Sequence, residues 1–200
     1  MIRPALKSDD SAIAVLHRNT LTNSFLAKLG PRFLKSLYAF LIQKENVIIH
    51  AEENTITGFV SFSYNSAGMM KRFLFSCPVC IFILMRILLT SPAFLKQVIE
   101  TFTAPFKSKI SNSSSDIIIL PRAELLSISV HPDYQKSGIG SQLIARMEKR
   151  LLGNGILKYK VIAGASLEGA NKLYLKNGFV LVSPIMIHGN ELSNIYVKHL

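Results

Sequence analysis

Acidic residues are scarce in this chain. Its 200 residues hold 12 Asp and Glu against 23 Lys and Arg, a formal net charge of +11. The excess is not a basic tail, because residues 1–122 carry 14 basic and 7 acidic side chains and residues 123–200 carry 9 and 5. Such a balance asks for an anionic partner: a polyphosphate ligand, a sugar nucleotide or an anionic membrane face. Nucleic acid is set aside, since no stripe of interleaved aromatic and basic residues and no DNA- or RNA-binding motif is present. Cysteine is equally scarce. Cys77 and Cys80 form the only C-x-x-C. No second Cys/His pair has ligand spacing and the surroundings are apolar, so the two read as buried, inert thiols, with no metal site.

Long apolar runs and targeting segments are missing too. The run from Phe73 to Met85 is broken by Ser76 and Pro78 and ends at Arg86. It is shorter than the roughly 20 residues that cross a bilayer. MIRPALKSDD has no apolar h-region or cleavage site and reads as a cytoplasmic start. With 49% hydrophobic residues, disorder is not the default and one domain with its own core is expected.

What is present centres on AELLSISVHPDYQKSGIGSQLIARMEKRLL, Ala123 to Leu152. A strand-like run breaks at His131-Pro132-Asp133, passes through Gln135-Lys136-Ser137-Gly138-Ile139-Gly140, and continues with apolar residues at helical spacing. Small residues let backbone approach a ligand, and the amides that open a helix are donors without partners, so an anion is the natural occupant. The loop lacks the Gly-Lys-Ser/Thr of a Walker A sequence and the third glycine of GxGxxG, which disfavours a nucleoside triphosphate or a dinucleotide.

This arrangement resembles the pyrophosphate loop of the GNAT acyltransferases, Gln/Arg-x-x-Gly-x-Gly/Ala after a strand ending Val-x-Pro. Val130-His131-Pro132, Tyr134, Gln135, Gly138, Gly140 and Leu143 all fall into register. A second family motif, Tyr-x-x-x-Gly-Phe at the end of a helix, stands as Tyr174 to Phe179. The resemblance covers about residues 120–180. It implies an α/β GNAT acyl-CoA N-acyltransferase fold, with a mixed, mostly antiparallel sheet flanked by helices, and acetyl-CoA as acyl donor.

The rest of the chain is compatible with that plan. Ile2–Leu6 is extended. Ser8-Asp9-Asp10 offers N-cap chemistry to a helix bearing His17, a lone histidine that reads as structural or exposed. A second helix follows Gly30-Pro31, and strand-like runs at 47–52 and 57–63 flank a turn at Glu53-Asn54. Past Asn177-Gly178, runs at 179–187 and 192–198 read as a final hairpin. The departure from the family pattern is an apolar, basic, helical insertion at about 65–115 within a single domain spanning 1–200. Its composition suits a helical lid, a homodimer surface, or an interfacial helix at 69–106 lying on the inner face of a membrane.

The resemblance also distributes roles. The amides of the central strand at Ile128, Ser129 and Val130 would hold the pantetheine arm. Gln135, Lys136, Ser137, Gly138, Ile139 and Gly140 would take the pyrophosphate, and Asn171 would bond the pantetheine amides. Tyr174 would serve as general acid for the departing thiolate. The position where the family often has asparagine is Leu167, so some donor contacts are rearranged. The fifth-strand position that carries a base in some relatives is Ile162, which cannot accept a proton. Glu124 is then the best carboxylate, with His131 and Glu168 as alternates. An ion pair of Glu124 with Arg122 or a lysine, and a water chain with no single base, stay open. The expected activity is acetyl transfer to an amine-bearing small molecule, an amino sugar of cell-surface glycan synthesis. Acetylation of a protein or peptide, and a non-catalytic acyl-CoA sensor or membrane adaptor, are the competing readings.

Overall fold

The computed structural model describes residues 1–22, 24–44, 46–53, 55–90, 109–111, 117–187 and 191–200. One seven-stranded sheet runs in the order β1-β2-β3-β6-β7-β9-β8. Its strands are β1 (Ile2–Pro4), β2 (Val47–Glu52), β3 (Thr55–Ser63), β6 (Glu124–Val130), β7 (Lys158–Gly164), β8 (Val180–Ile187) and β9 (Glu191–His199). A separate ribbon pairs β4 (Lys109–Ser111) with β5 (Ile117–Ile119). Every pairing in the large sheet is antiparallel except β6 with β7. Residues 91–108 and 112–116, much of the expected insertion at about 65–115, and residues 188–190 between the two runs of the expected final hairpin lie outside the described residues.

Helices cover both faces, so each strand can send alternate side chains into two cores. On one face lie α1 (Asp10–Thr20), α2 (Phe25–Lys28), α3 (Pro31–Gln43), α4 (Met69–Ser76) and α5 (Pro78–Thr90), packed over Phe33, Leu37, Leu41, Ile49 and Phe59. On the other, α6 (Ile139–Gly153) sets Leu143, Ile144 and Met147 against Val60, Leu125 and Val161, and α7 (Glu168–Lys176) adds Tyr174. Pro31 occupies the first turn of α3, where its missing N–H is not needed.

One local expectation changes. The Asp9 carboxylate does not cap α1. It turns back to the Leu6 N–H at 2.7 Å and to Arg3 at 2.7 Å, pinning the α1 entry to β1. The apolar run at 73–85 divides where Ser76 and Pro78 interrupt it: α4 stops at Ser76, Cys77 leaves the helical conformation, and Pro78 opens α5. No helix among the described residues is long and apolar enough to cross a membrane. Cys80 is buried, and burial together with Cys77 pushes its thiol up to about 12, in line with an inert cysteine.

Candidate active site

The chain builds its cleft by failing to complete one strand pair. β6 and β7 pair only at Glu124↔Lys160 and Leu125↔Val161, and then each continues alone. On its other edge β6 stays paired with β3 to Val130, although Ser61↔Ser127 is followed by Phe62↔Leu125, so Leu126 has no counterpart and forms a bulge. The His131 N–H donates to Thr57 O at 2.8 Å. Alternation along an antiparallel ladder then turns the amides of Ser129 and Ser127 toward β3, and those of Ile128 and Val130 into the gap facing β7. Two backbone donors therefore line a wedge that opens at the C-terminal ends of two parallel strands, where ligands of α/β sheets bind.

The wide end of the wedge meets the glycine loop. Lys136 and Gly138 hold positive φ, 62° and 86°, and Gly138 is the N-cap of α6. This left-handed turn gathers successive amides into a concave donor set. Intrahelical bonding starts with Gln142 N to Gly138 O, so the amides of Ile139, Gly140 and Ser141 have no helical carbonyl. The Gln135 side chain donates to Val130 O at 3.1 Å and Ser137 Oγ to Tyr134 O at 2.5 Å, so these two shape the loop. A Cβ on Gly140 would stand 3.3 Å from Leu173, and one on Gly58 would stand 3.2 Å from Ile139 and Ser129 O. Glycine at these two positions lets α6 sit down on β3 and α7 sit down on α6.

Helix α7 follows β7 and closes the wedge from one face. Asn171 Nδ2 donates to Gly164 O and Ala165 O, both at 3.1 Å, and to Leu167 O at 2.9 Å, while its Oδ1 accepts from Tyr196 at 2.8 Å. Its amide is thus committed to tying α7 to the end of β7. At the other end of α7, Asn177 Nδ2 donates to Ser141 Oγ at 3.0 Å. Between them Tyr174, 4% exposed, packs against Phe179 and Tyr196, and burial raises its phenol above the ordinary tyrosine range. No residue among those described hydrogen-bonds the Tyr174 hydroxyl. A buried phenol with a spare donor suits a ligand atom.

Glu124 sits at the closed end, and its carboxylate is engaged. Lys160 Nζ lies 3.2 Å from Oε2, with both side chains largely buried, and also donates to Pro121 O at 2.8 Å and Ser66 Oγ at 3.3 Å. Beyond this ion pair, the buried Glu124 Oε2 has no hydrogen-bond partner among the described residues. His131 is half-exposed at 3.6 Å from Asp133, and Glu168 is exposed and paired with Lys172. Ser129 faces away from the wedge, its hydroxyl donating to Thr20 Oγ1 at 2.5 Å.

That opposite face holds a polar chain with only a weak sequence signal. His17 Nδ1 lies 2.6 Å from Tyr38 Oη, and Nε2 lies 3.0 Å from Ser24 Oγ, the N-cap that accepts from Ala27 N. Nearby, the Ser61 hydroxyl donates to Ser127 O at 3.4 Å. His17 and Tyr38 are each 1% exposed, and burial lowers His17 to about 4, so its ring is neutral near pH 7. The ring stacks on Phe59. A histidine spaced with Ile13 and Leu16 on an apolar helix face was the only available hint.

Comparison with known proteins agrees with this geometry. Residues 108–181 match the family described as the acetyltransferase (GNAT) domain. Acetyltransferase SG1711 of Sodalis glossinidius is 29% identical over 65 residues, which are 32% of this chain and 46% of that relative, so the match spans about half of the relative's length. Solved structures match over almost the full chain. An N-acetyltransferase from Staphylococcus aureus Mu50 superposes with a TM-score of 0.60 at 18% identity, covering 99% of this chain and 100% of that one. The ribosomal-protein-S18-alanine N-acetyltransferase of Escherichia coli gives 0.58 at 15%, covering 100% and 92%. The PaiA N-acetyltransferase of Thermoplasma acidophilum, solved with coenzyme A, gives 0.58 at 15%, covering 100% and 98%. Identities this low speak for the shared fold.

Proposed function

We propose that this chain, whose residues 108–181 match the acetyltransferase (GNAT) domain, binds acetyl-CoA in the wedge between β6 and β7 and transfers its acetyl group to a primary amine. The observation that carries the reading is the break in pairing after Leu125 and Val161, which frees the Ile128 and Val130 amides in line with the Gly138 loop. The amides of Ile139, Gly140 and Ser141 receive the pyrophosphate, with Lys136 adding charge at the rim. The pantetheine arm runs down the wedge on Val130 and Ile128. From Val130 to Leu125 the strand spans about 17 Å, which brings the thioester to the narrow end, near the bulge.

There the residues divide the chemistry. A fixed backbone donor steadies the charge that develops on the acyl oxygen as nitrogen attacks, at no reorganisation cost. Tyr174 delivers its proton to the departing sulfur. Glu124, held by Lys160, is assigned to closing the wedge rather than to accepting a proton.

For the acceptor we favour an amino sugar of cell-surface glycan synthesis, since a chain of net charge +11 suits an acceptor carrying phosphate. Titration calorimetry with acetyl-CoA, then release of free CoA with amino-sugar nucleotides and with peptide libraries, tests the reading. Binding followed by turnover on the sugars supports it. Turnover on peptides alone moves the acceptor to protein. Tight binding with no turnover makes the chain a sensor, and no binding at millimolar donor removes the whole reading.

A second observation concerns partners. Along α4 and α5, Phe75 is 85% and Phe82 71% exposed, with Val79 and Met85 also exposed at helical spacing. We infer that this face lies on an anionic membrane surface, where the positive charge of the chain adds to apolar insertion. Flotation with anionic liposomes checks this: recovery in the lipid fraction at low salt supports it. Recovery only in the soluble fraction, with a dimer in sedimentation, assigns the face to a second copy of the chain.

A further inference from the structure

A charged pair closes the wedge, and stability alone does not call for one, because a well-packed apolar pair often serves a buried site as well or better. We propose that Glu124 and Lys160 form the acyl-end subsite of the wedge: they admit the acetyl group, reject longer apolar acyl chains, and take a longer chain where it carries a hydroxyl. The proposal rests on the acyl-CoA reading of the wedge and adds its selection among donors.

Three features carry it. First, position: β6 and β7 pair at Glu124↔Lys160 and Leu125↔Val161 and separate beyond, so these two rungs are the narrow end that the thioester approaches. Second, direction: Leu125, Tyr159 and Val161 lie in the core under α6 and α7, and alternation along each strand sends Glu124 and Lys160 to the other face of the sheet. Leu143, Ile144 and Met147 fill the α6 side to full burial, which turns any extension of the acyl chain toward the ion pair. Third, an unused acceptor: Lys160 Nζ is anchored by Pro121 O at 2.8 Å and Ser66 Oγ at 3.3 Å and stands 3.2 Å from Glu124 Oε2. Ser66 is itself fixed, its N–H and its hydroxyl both donating to Arg122 O. Beyond the ion contact, the buried Oε2 has no hydrogen-bond partner among the described residues. The pair is thus enclosed and pinned, with one carboxylate oxygen left to a ligand.

Such an end wall treats apolar and polar chains in opposite ways. In an apolar pocket each added methylene raises affinity by roughly fourfold. Against this pair a methylene instead seals off an oxygen that already lacks a donor, and a buried acceptor without a partner is costly, more so when it is charged. Acetyl ends at its methyl group and adds nothing to that cost. A hydroxyl at the end of a longer chain brings the missing donor, and a hydrogen bond to a carboxylate is among the stronger kinds.

Titration calorimetry of the full chain with acetyl-CoA, butyryl-CoA and 3-hydroxypropionyl-CoA, without any acceptor, reads the subsite through binding alone. The wild type is expected to bind butyryl-CoA about tenfold or more weakly than acetyl-CoA. It should bind 3-hydroxypropionyl-CoA, whose acyl chain matches butyryl in length, about fivefold or more tightly than butyryl-CoA. In the double variant Glu124→Leu with Lys160→Met both differences should disappear, because the end wall is then apolar. Wild-type dissociation constants within about twofold of one another overturn the subsite. So does a hydroxyl that brings no gain over butyryl, which makes length alone the selector; neither result depends on a variant that folds. A folded double variant that keeps the wild-type order overturns it as well. In each of these cases acetyl-CoA still binds and the acyl-CoA reading stands, whereas absence of binding by all three donors removes both.

Discussion

Glu124 and Lys160 face each other across the last rung but one before β6 and β7 separate, with Nζ 3.2 Å from Oε2 and both side chains largely enclosed. Removing one partner leaves the other buried and unpaired, at a cost of about 3–5 kcal/mol, whereas replacing both by apolar residues of similar size is often neutral. Glu124→Ala is therefore expected to lose most of the stability of the chain, and Glu124→Leu with Lys160→Met to regain it. Urea unfolding of the single and double variants measures the difference. A Glu124→Gln protein that folds normally but loses kcat by a hundredfold would return the base role to this carboxylate.

Tyr174→Phe keeps the ring contacts with Phe179 and Tyr196 and removes only the hydroxyl. The expected result is a fall in kcat of about 10² or more with little change in acetyl-CoA affinity. Steady-state kinetics beside calorimetry separates the two. An unchanged kcat would leave Tyr174 as packing.

Gly138 sits at φ 86°, where a Cβ costs roughly 1–2 kcal/mol, so Gly138→Ala strains the turn that gathers the loop amides. Gly140→Val places bulk against Leu173, which a Cβ alone would already approach to 3.3 Å. Both variants are expected to weaken acetyl-CoA binding by about tenfold or more through loss of the loop's donor geometry. The Gly153→Ala control, with open space around its Cβ, should bind as wild type.

Stability should fall as pH is lowered through the histidine range. Burial lowers His17 from 6.5 to about 4. Between those values the unfolded chain takes up a proton that the folded chain refuses, a penalty that reaches about 3 kcal/mol at the acid end. His50 is also lowered, by burial and by the positive N-terminus, and acts in the same direction. At lower pH Asp9 adds a further loss. Burial raises its pKa, but Arg3 and the Leu6 amide outweigh that and hold it below 3.8, so its contribution disappears as it is protonated. Denaturant midpoints from pH 7 to 4 should decline, and His17→Gln should flatten part of the slope. A flat profile in the wild type would contradict a buried neutral His17.

The donor half of the site was legible from local pattern because its chemistry is local. A strand, a glycine turn and a helix N-terminus are contiguous from Glu124 to Gly153, and the Pro31 and Gly178 punctuation has direct conformational meaning. What escaped depends on pairing at a distance. The Glu124–Lys160 contact joins two strands separated by all of α6, and the bulge at Leu126 appears only against the register of β3. That the Asn171 amide bonds Gly164, Ala165 and Tyr196 likewise depends on how α7 sits against β7 and β9. His17 gave no sign that Tyr38 and Ser24 would meet its two nitrogens, because those contacts need α1, α2 and α3 assembled on the sheet.

The central claim is that the unpaired edge of β6 and the following loop form the acetyl-CoA site. Amide hydrogen exchange with and without acetyl-CoA reads it directly. The account predicts new protection at Ile128 and Val130 on β6 and at Ile139, Gly140 and Ser141 opening α6, with Ser127 and Ser129, already bonded to β3, little changed. Protection confined to other elements, or no change on saturation with the donor, would contradict it.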